Sequence, residues 1–217
     1  MIHYLNPTFN HYPEMLEVIQ KIYAPGVDHH AAYTQRNAIT ESKILAMMRE
    51  EQTAWTALME DMQLVYPNSL DMSYVRFPNY RLRISMPARQ DGMVRRHREF
   101  HVVVSLLADF YTCFWEDRYE MLEFRDEKAL VSPGIICTVF SDLIRKYPDC
   151  LAMMKTAELL LARHFPAHRY VNHYGLFTSD ADCNAALPGS DKEQPPYKYF
   201  TYLFDDSISL WNRVIWW

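Results

Sequence analysis

Glycine is scarce in this chain, with 5 among 217 residues, so backbone cradles for phosphate or dinucleotide have little to be built from. Gly-x-Ser-x-Gly elbows, Gly-rich phosphate loops and dinucleotide fingerprints are all absent. The four cysteines, Cys113, Cys137, Cys150 and Cys183, contain no Cys-x-x-Cys pair. That spacing argues against a zinc or disulfide framework and for buried thiols in a reducing compartment. No stretch approaches the ~20 consecutive apolar residues of a bilayer span; the most hydrophobic one, 102–107, is soon followed by Asp109. The first residues carry neither the basic start nor the apolar run of a secretory signal. A soluble, cytoplasmic protein without cofactor is the expectation.

What is present is a large apolar share, 49%, with an aromatic content of 14%. A chain this long buries roughly 70% of its unfolded surface, so its core needs no metal or disulfide support. Aromatic side chains serve cores and binding hot spots alike, and their surplus fits either use.

The periodicity predicts one α+β domain over 1–217: a helical part at 12–66, an antiparallel β-meander of four or five strands at 70–125, a helical hairpin at 133–165, and C-terminal strands and tail at 168–217. Met15, Leu16, Ile19 and Ile22 stand at helical spacing. Thr40 is read as the N-cap of a long helix to residue 65, with Ile44, Met48, Trp55, Leu58, Met59 and Met62 on one side. From residue 70 the period falls to two, most clearly where Tyr80, Leu82, Ile84 and Met86 alternate with Arg81, Arg83 and Ser85. Pro78-Asn79, Asp91-Gly92, Ala108-Asp109 and Asp117-Arg118 read as the turns between strands. Ser132-Pro133-Gly134 reads as a helix start, and Asp149 as the cap of the next helix. Strands are expected at 169–177 and 197–204, a surface loop at 179–196, and a short terminal helix carrying Leu210, Trp211, Val214 and Ile215.

Histidine patterns offer little metal chemistry. In His97-Arg98-Glu99-Phe100-His101 the acid does not directly follow the first His, so the helical zinc-protease signature fails. On a strand His97, Glu99 and His101 would share a face, but Val103 and Leu107 continue it into apolar territory, and a polar strand start is the stronger reading. Pro166 breaks the register between His164 and His168, and His29-His30 reads as loop.

Charge is segregated along the chain. Between Arg76 and Arg98 seven arginines meet one acid, Asp91; between Glu116 and Glu127 six acids meet Arg118 and Arg125 around Trp115, Tyr119 and Phe124. Arginines bind phosphates and carboxylates. If the strands bring both segments together, the charges instead cancel pairwise. A net charge of −5 gives no overall attraction to nucleic acid.

With its helical start, aromatic-rich sheet and the ending Tyr197-Lys198-Tyr199-Phe200-Thr201-Tyr202-Leu203-Phe204-Asp205-Asp206 before a Trp-rich tail, the chain resembles the cytoplasmic immunity proteins that bacteria pair with secreted toxins. Those beside type VI secretion nuclease effectors come closest. The resemblance implies a non-catalytic protein that binds and neutralises one cognate toxin. Exposed aromatics ringed by acids would then do the binding, with Trp115, Glu116, Asp117, Glu120, Glu123, Asp205 and Asp206 as the partner-binding candidates. The alternative is a small enzyme that holds an anionic substrate with Arg81, Arg83 or Arg95 and uses His97 or His101 as acid or base. A third reading is an assembly subunit whose Trp211, Trp216 and Trp217 tail is buried in a homo-oligomer.

Overall fold

A computed structural model describes residues 11–23, 29–49, 53–74, 77–125, 128–141, 148–183, 196–204 and 213–215. Helix α1, Tyr12–Ile22, buries Met15, Ile19 and Ile22, the positions that its spacing marks, and carries Pro13 in the first turn, where a missing N–H costs little. The long helix expected over 40–65 is two helices, α2 at His29–Arg49 and α3 at Ala54–Val65. Thr40 lies buried inside α2, and the true cap is Thr53, whose Oγ1 accepts from the Thr56 N–H at 3.1 Å while its own N–H donates to Thr56 Oγ1 at 2.7 Å. A Thr at the third helical position in place of Glu or Gln disguises this reciprocal cap in the sequence. His29-His30, expected as loop, opens α2.

Strands β1 (Ser69–Asp71), β2 (Asn79–Ser85), β3 (Arg89–Asp91), β4 (Val94–Ser105), β5 (Phe110–Arg125) and β6 (Lys128–Ser141) follow. Then come α4 (Pro148–His164), β7 (Arg169–Tyr170), α5 (His173–Thr178), α6 (Tyr199–Leu203) and β8 (Arg213–Ile215). The fold is α+β. The sheet runs β1-β2-β4-β5-β6-β8, with β3 on β4 and β7 on β5; β1 to β6 pair antiparallel, whereas β7 and β8 join in parallel.

Side chains of a strand alternate between faces, so the β4–β5 register assigns each residue its layer. Phe100, Val102 and Val104 lie opposite Trp115, Cys113 and Tyr111 and meet α3 and α4 in one core. Val103, Phe110 and Phe114 point the other way, into a core shared with α1, α5 and α6. Helices therefore cover both faces of the inner half of the sheet. On the first face Trp55 of α3 stacks on Tyr80 at 5.1 Å and donates its indole N–H to Asp71 Oδ2 at 2.9 Å; His164 and Arg163 of α4 reach Asp61 of α3 at 2.8 and 3.2 Å. On the second, Phe177 and Phe200 stack at 4.2 Å with Phe114 edge-on to Phe177, and Ser105 Oγ donates to the Leu203 carbonyl at 2.8 Å.

Several expected elements change type. The helix expected from Ser132 is β6, for Ile135, Ile136, Thr138 and Val139 suit a strand, and β5 supplies its partner. The Ser132-Pro133-Gly134 signal marks an irregularity instead: pairing jumps from Glu120↔Ile136 to Leu122↔Val131, which leaves the proline outside the ladder that it could not donate to. The helical hairpin is thus reduced to α4. Asp117-Arg118, expected as a turn, lies within β5. The strand at 169–177 is the two residues of β7 and then α5, capped by Asn172 Oδ1 accepting from the Tyr174 N–H at 2.8 Å. At 197–204 stands α6, whose run of buried Tyr199, Phe200, Tyr202 and Leu203 has no period to separate strand from helix. The terminal segment 213–215 is strand, not helix. Most of the loop expected at 179–196, residues 184–195, and the tail residues Trp211, Trp216 and Trp217 lie outside the described residues. Cys113, Cys150 and Cys183 are buried free thiols.

Asp91-Gly92 behaves as a turn should: Asp91 pairs with Val94 across a two-residue loop, and Gly92 takes φ of 55°. An added Cβ at Gly92 would meet nothing within 4 Å, so only the backbone conformation opposes a side chain. Gly92→Val is expected to destabilise the fold by about 1–2 kcal/mol and Gly92→Asn by clearly less, as measured by urea unfolding. Equal midpoints for the two variants would contradict this left-handed turn.

Candidate functional site

Where the two cores end, toward the β3 side of the sheet, the β4–β5 ladder turns from apolar to charged. Its register sets Arg98 opposite Asp117, His97 opposite Arg118 and Arg95 opposite Glu120. The basic and acidic segments, more than a dozen residues apart in sequence, are cross-strand neighbours.

The face under α3 and α4 closes this ladder with a tight ion-pair group. Asp117 is buried and accepts from Arg98 Nε at 3.0 Å and from Arg96 through both Nε, at 3.1 Å, and Nη2. Arg96 also covers the Tyr119 ring at 5.4 Å. A carboxylate removed from water requires such paired donors, and here two strands supply them.

The opposite face carries a looser lattice. His97 Nε2 is 2.9 Å from Glu120 Oε2, and Arg118 Nε is 3.6 Å from the other oxygen of Glu120. Glu99 accepts from Ser85 Oγ at 3.2 Å and stands 3.8 Å from Arg83 Nη1. His101 lies beneath, its Nε2 at 3.8 Å from Glu99 and 3.6 Å from Glu116, its ring stacked on Phe114 at 5.0 Å, with Arg81 Nη2 at 3.4 Å from Nδ1. His97, Glu99 and His101 do share this face, yet no group of three or more His, Cys, Asp or Glu suited to a metal ion occurs among the described residues. Each histidine is engaged separately by carboxylates.

These positions correct the expected docking surface. Trp115 is not an exposed anchor: it is a core residue, with its ring 5.0 Å from Phe100, because its register places it on the face that α3 and α4 cover. Asp117 and Glu116 are buried and engaged with Arg96, Arg98 and His101, so they do not project as an acidic rim. Glu120 stays at the surface margin, held by His97 and Arg118. Glu123 stands further along β5, opposite Leu130; Asp205 and Asp206 lie outside the described residues. Comparison with protein-family models, curated proteins and solved structures returned no match for this chain.

What sequence reading missed is the sheet edge. Leu70 pairs with Arg83, and the Met72 N–H donates to the Arg81 carbonyl at 2.7 Å, so both stand on the loosely charged face beside its arginines. Leu70, Met72 and Tyr74 are exposed. The alternation of Leu70 and Met72 was a signal available in the sequence, but three residues of strand are too few to show which side is wet. Nucleophile chemistry finds little support in the buried thiols, since burial pushes those of Cys113 and Cys150 above the ordinary range and keeps them protonated. Among the described residues no helix is long and apolar enough to cross a membrane.

The contrast between the two faces is measurable. Asp117→Ala leaves Arg96 and Arg98 facing each other beside a core and is expected to cost about 2–3 kcal/mol, somewhat under the figure for breaking a fully buried pair because Arg96 keeps contact with water. Glu120→Gln, on the looser lattice, is expected to cost under about 1 kcal/mol. Urea unfolding of both variants checks the order; an Asp117→Ala midpoint equal to that of the parent would remove the structural role given to this triad.

Proposed function

We propose that this chain is a cytoplasmic, non-catalytic binding protein of the toxin-immunity kind, which holds one cognate secreted bacterial toxin and neutralises it by steric blocking. A type VI secretion effector, with a nuclease as the favoured activity, is the partner class that the sequence resemblance implies. The observation that carries the reading is the composition of the outer half of the sheet, on the face whose side chains are partly exposed among the described residues. An ion lattice already assembled by the fold lies beside three exposed apolar side chains, Leu70 at 47%, Met72 at 41% and Tyr74 at 51% of full exposure. Apolar anchors next to prearranged arginines are the make-up of protein-binding hot spots, where little side-chain freedom is left to lose on association. The surface meant here is this sheet edge and its charged face, in place of the acidic group around Trp115.

The reading leads to a direct measurement. Co-expression with the product of the adjacent gene is expected to restore growth of a host that this product poisons. Leu70→Asp combined with Met72→Asp is expected to abolish that protection while leaving the thermal midpoint nearly unchanged, since exposed substitutions shift stability by about 0.5 kcal/mol or less. Protection by the double variant equal to that of the parent would reject this surface, and an adjacent product without toxicity would remove the immunity reading.

A further inference from the structure

The charged face of the outer sheet is built in two tiers. Its guanidiniums stand outermost, with the Arg118 side chain 40% and that of Arg83 30% exposed, while the carboxylates lie beneath them at 17% for Glu99, 14% for Glu120 and 11% for Glu116. The contacts between the tiers are long, 3.8 Å from Arg83 to Glu99 and 3.6 Å from Arg118 to Glu120. Both exceed hydrogen-bond length, so the acids orient the guanidiniums by charge without occupying their donors. On the other face Arg98 Nε meets Asp117 at 3.0 Å. One face spends Arg96 and Arg98 on the fold, and the other presents Arg83 and Arg118.

A guanidinium carries five N–H donors in a planar fork suited to a carboxylate. Two such guanidiniums, partly exposed and beyond hydrogen-bond length of the acids that orient them, make this face a receptor for anions although the chain as a whole has a charge of −5. Arg83 and Arg118 are separated by two strand spacings and four residues of register, which places them roughly 16 Å apart, the span of about five extended residues. Beside Arg83 the margin formed by Leu70, Met72 and Tyr74 is apolar. A polyphosphate gains nothing from that margin, whereas an extended peptide whose surface-facing side chains are acidic along one stretch and apolar along the next matches both parts.

We propose that this face binds an acidic extended segment of a partner protein, with carboxylates of that segment on Arg83 and Arg118 and its apolar side chains along Leu70 and Met72. The inference rests on the binding-protein reading and names the chemistry of what is bound. It reverses the polarity expected from the sequence, where the acids of this chain were to meet a basic partner. An inhibitor that reads acids leaves a phosphate-binding cleft alone, so the surface it covers on a toxin is a different one.

Fluorescence anisotropy with three labelled probes tests it: a peptide of about twelve residues with Glu at alternate positions of its first half, Val at alternate positions of its second half and Thr between, its counterpart with Lys for Glu, and an oligothymidylate of similar length. The Glu peptide is expected to bind at least about tenfold more tightly than either other probe. Arg83→Gln with Arg118→Gln is expected to weaken it by about tenfold or more at unchanged circular dichroism and thermal midpoint; Arg83→Lys with Arg118→Lys, which keeps the charge, is expected to recover part of the loss. Tighter binding of the Lys peptide overturns the acidic partner but leaves the binding-protein reading in place. Preference for the oligothymidylate overturns both. Failure of all three probes to bind, or equal binding by the Gln double variant, overturns the inference, while the growth-protection assay decides the immunity reading separately.

Discussion

The pairing of β4 with β5 is the constraint on which the other features depend. Its register joins Val94 to Met121 at one end and Val104 to Tyr111 at the other, and along it every residue receives a face. A slip of β4 by one residue would turn its side chains over, sending Phe100 and Val102 to the side of α1 and taking Arg96 and Arg98 away from Asp117 to the other face. No single contact enforces the register. Apolar matching over the inner half and charge matching over the outer half demand the same alignment, and a funnelled fold arises from that kind of agreement.

The two halves of the ladder serve different ends. The inner half is sandwiched by helices, and its side chains are buried on both sides, which accounts for the near-continuous apolar run from Phe100 to Val104. The outer half extends beyond α5 and α6, and among the described residues one of its faces carries partly exposed side chains. There the strand can carry charge at alternate positions, and cross-strand neighbours of opposite sign become available to order one another. The proposed binding surface is thus a consequence of strands longer than the helices that cover them. Its arginines are oriented by acids from β4 and β5, and Arg83 lies beside the short edge strand β1.

Much of this was readable locally. The apolar spacing of α1, the alternation through β2 and the Asp91-Gly92 turn each follow from one stretch of chain, because helix and strand periods and a left-handed turn are short-range properties. Residues 197–204 and 132–141 were not readable in this way. The first is apolar without a period, and the second carries a helix-start signal that the partner strand β5 overrides by supplying a ladder. Trp115 shows the same limit for the site: an aromatic beside acids is an anchor or a core residue according to which face its strand turns inward.

The amino-acid sequence by itself determined the α+β composition, the scarcity of glycine from which phosphate cradles are built, and the fact that basic and acidic residues fall in separate segments. Only the tertiary structure decided what those segments do to each other. Register set Asp117 between two arginines on a covered face, where desolvation demands full pairing, and left Arg83 and Arg118 above their acids on an open one, where it does not. Charge belongs to residues, but its availability to a partner belongs to the layer in which the fold places them.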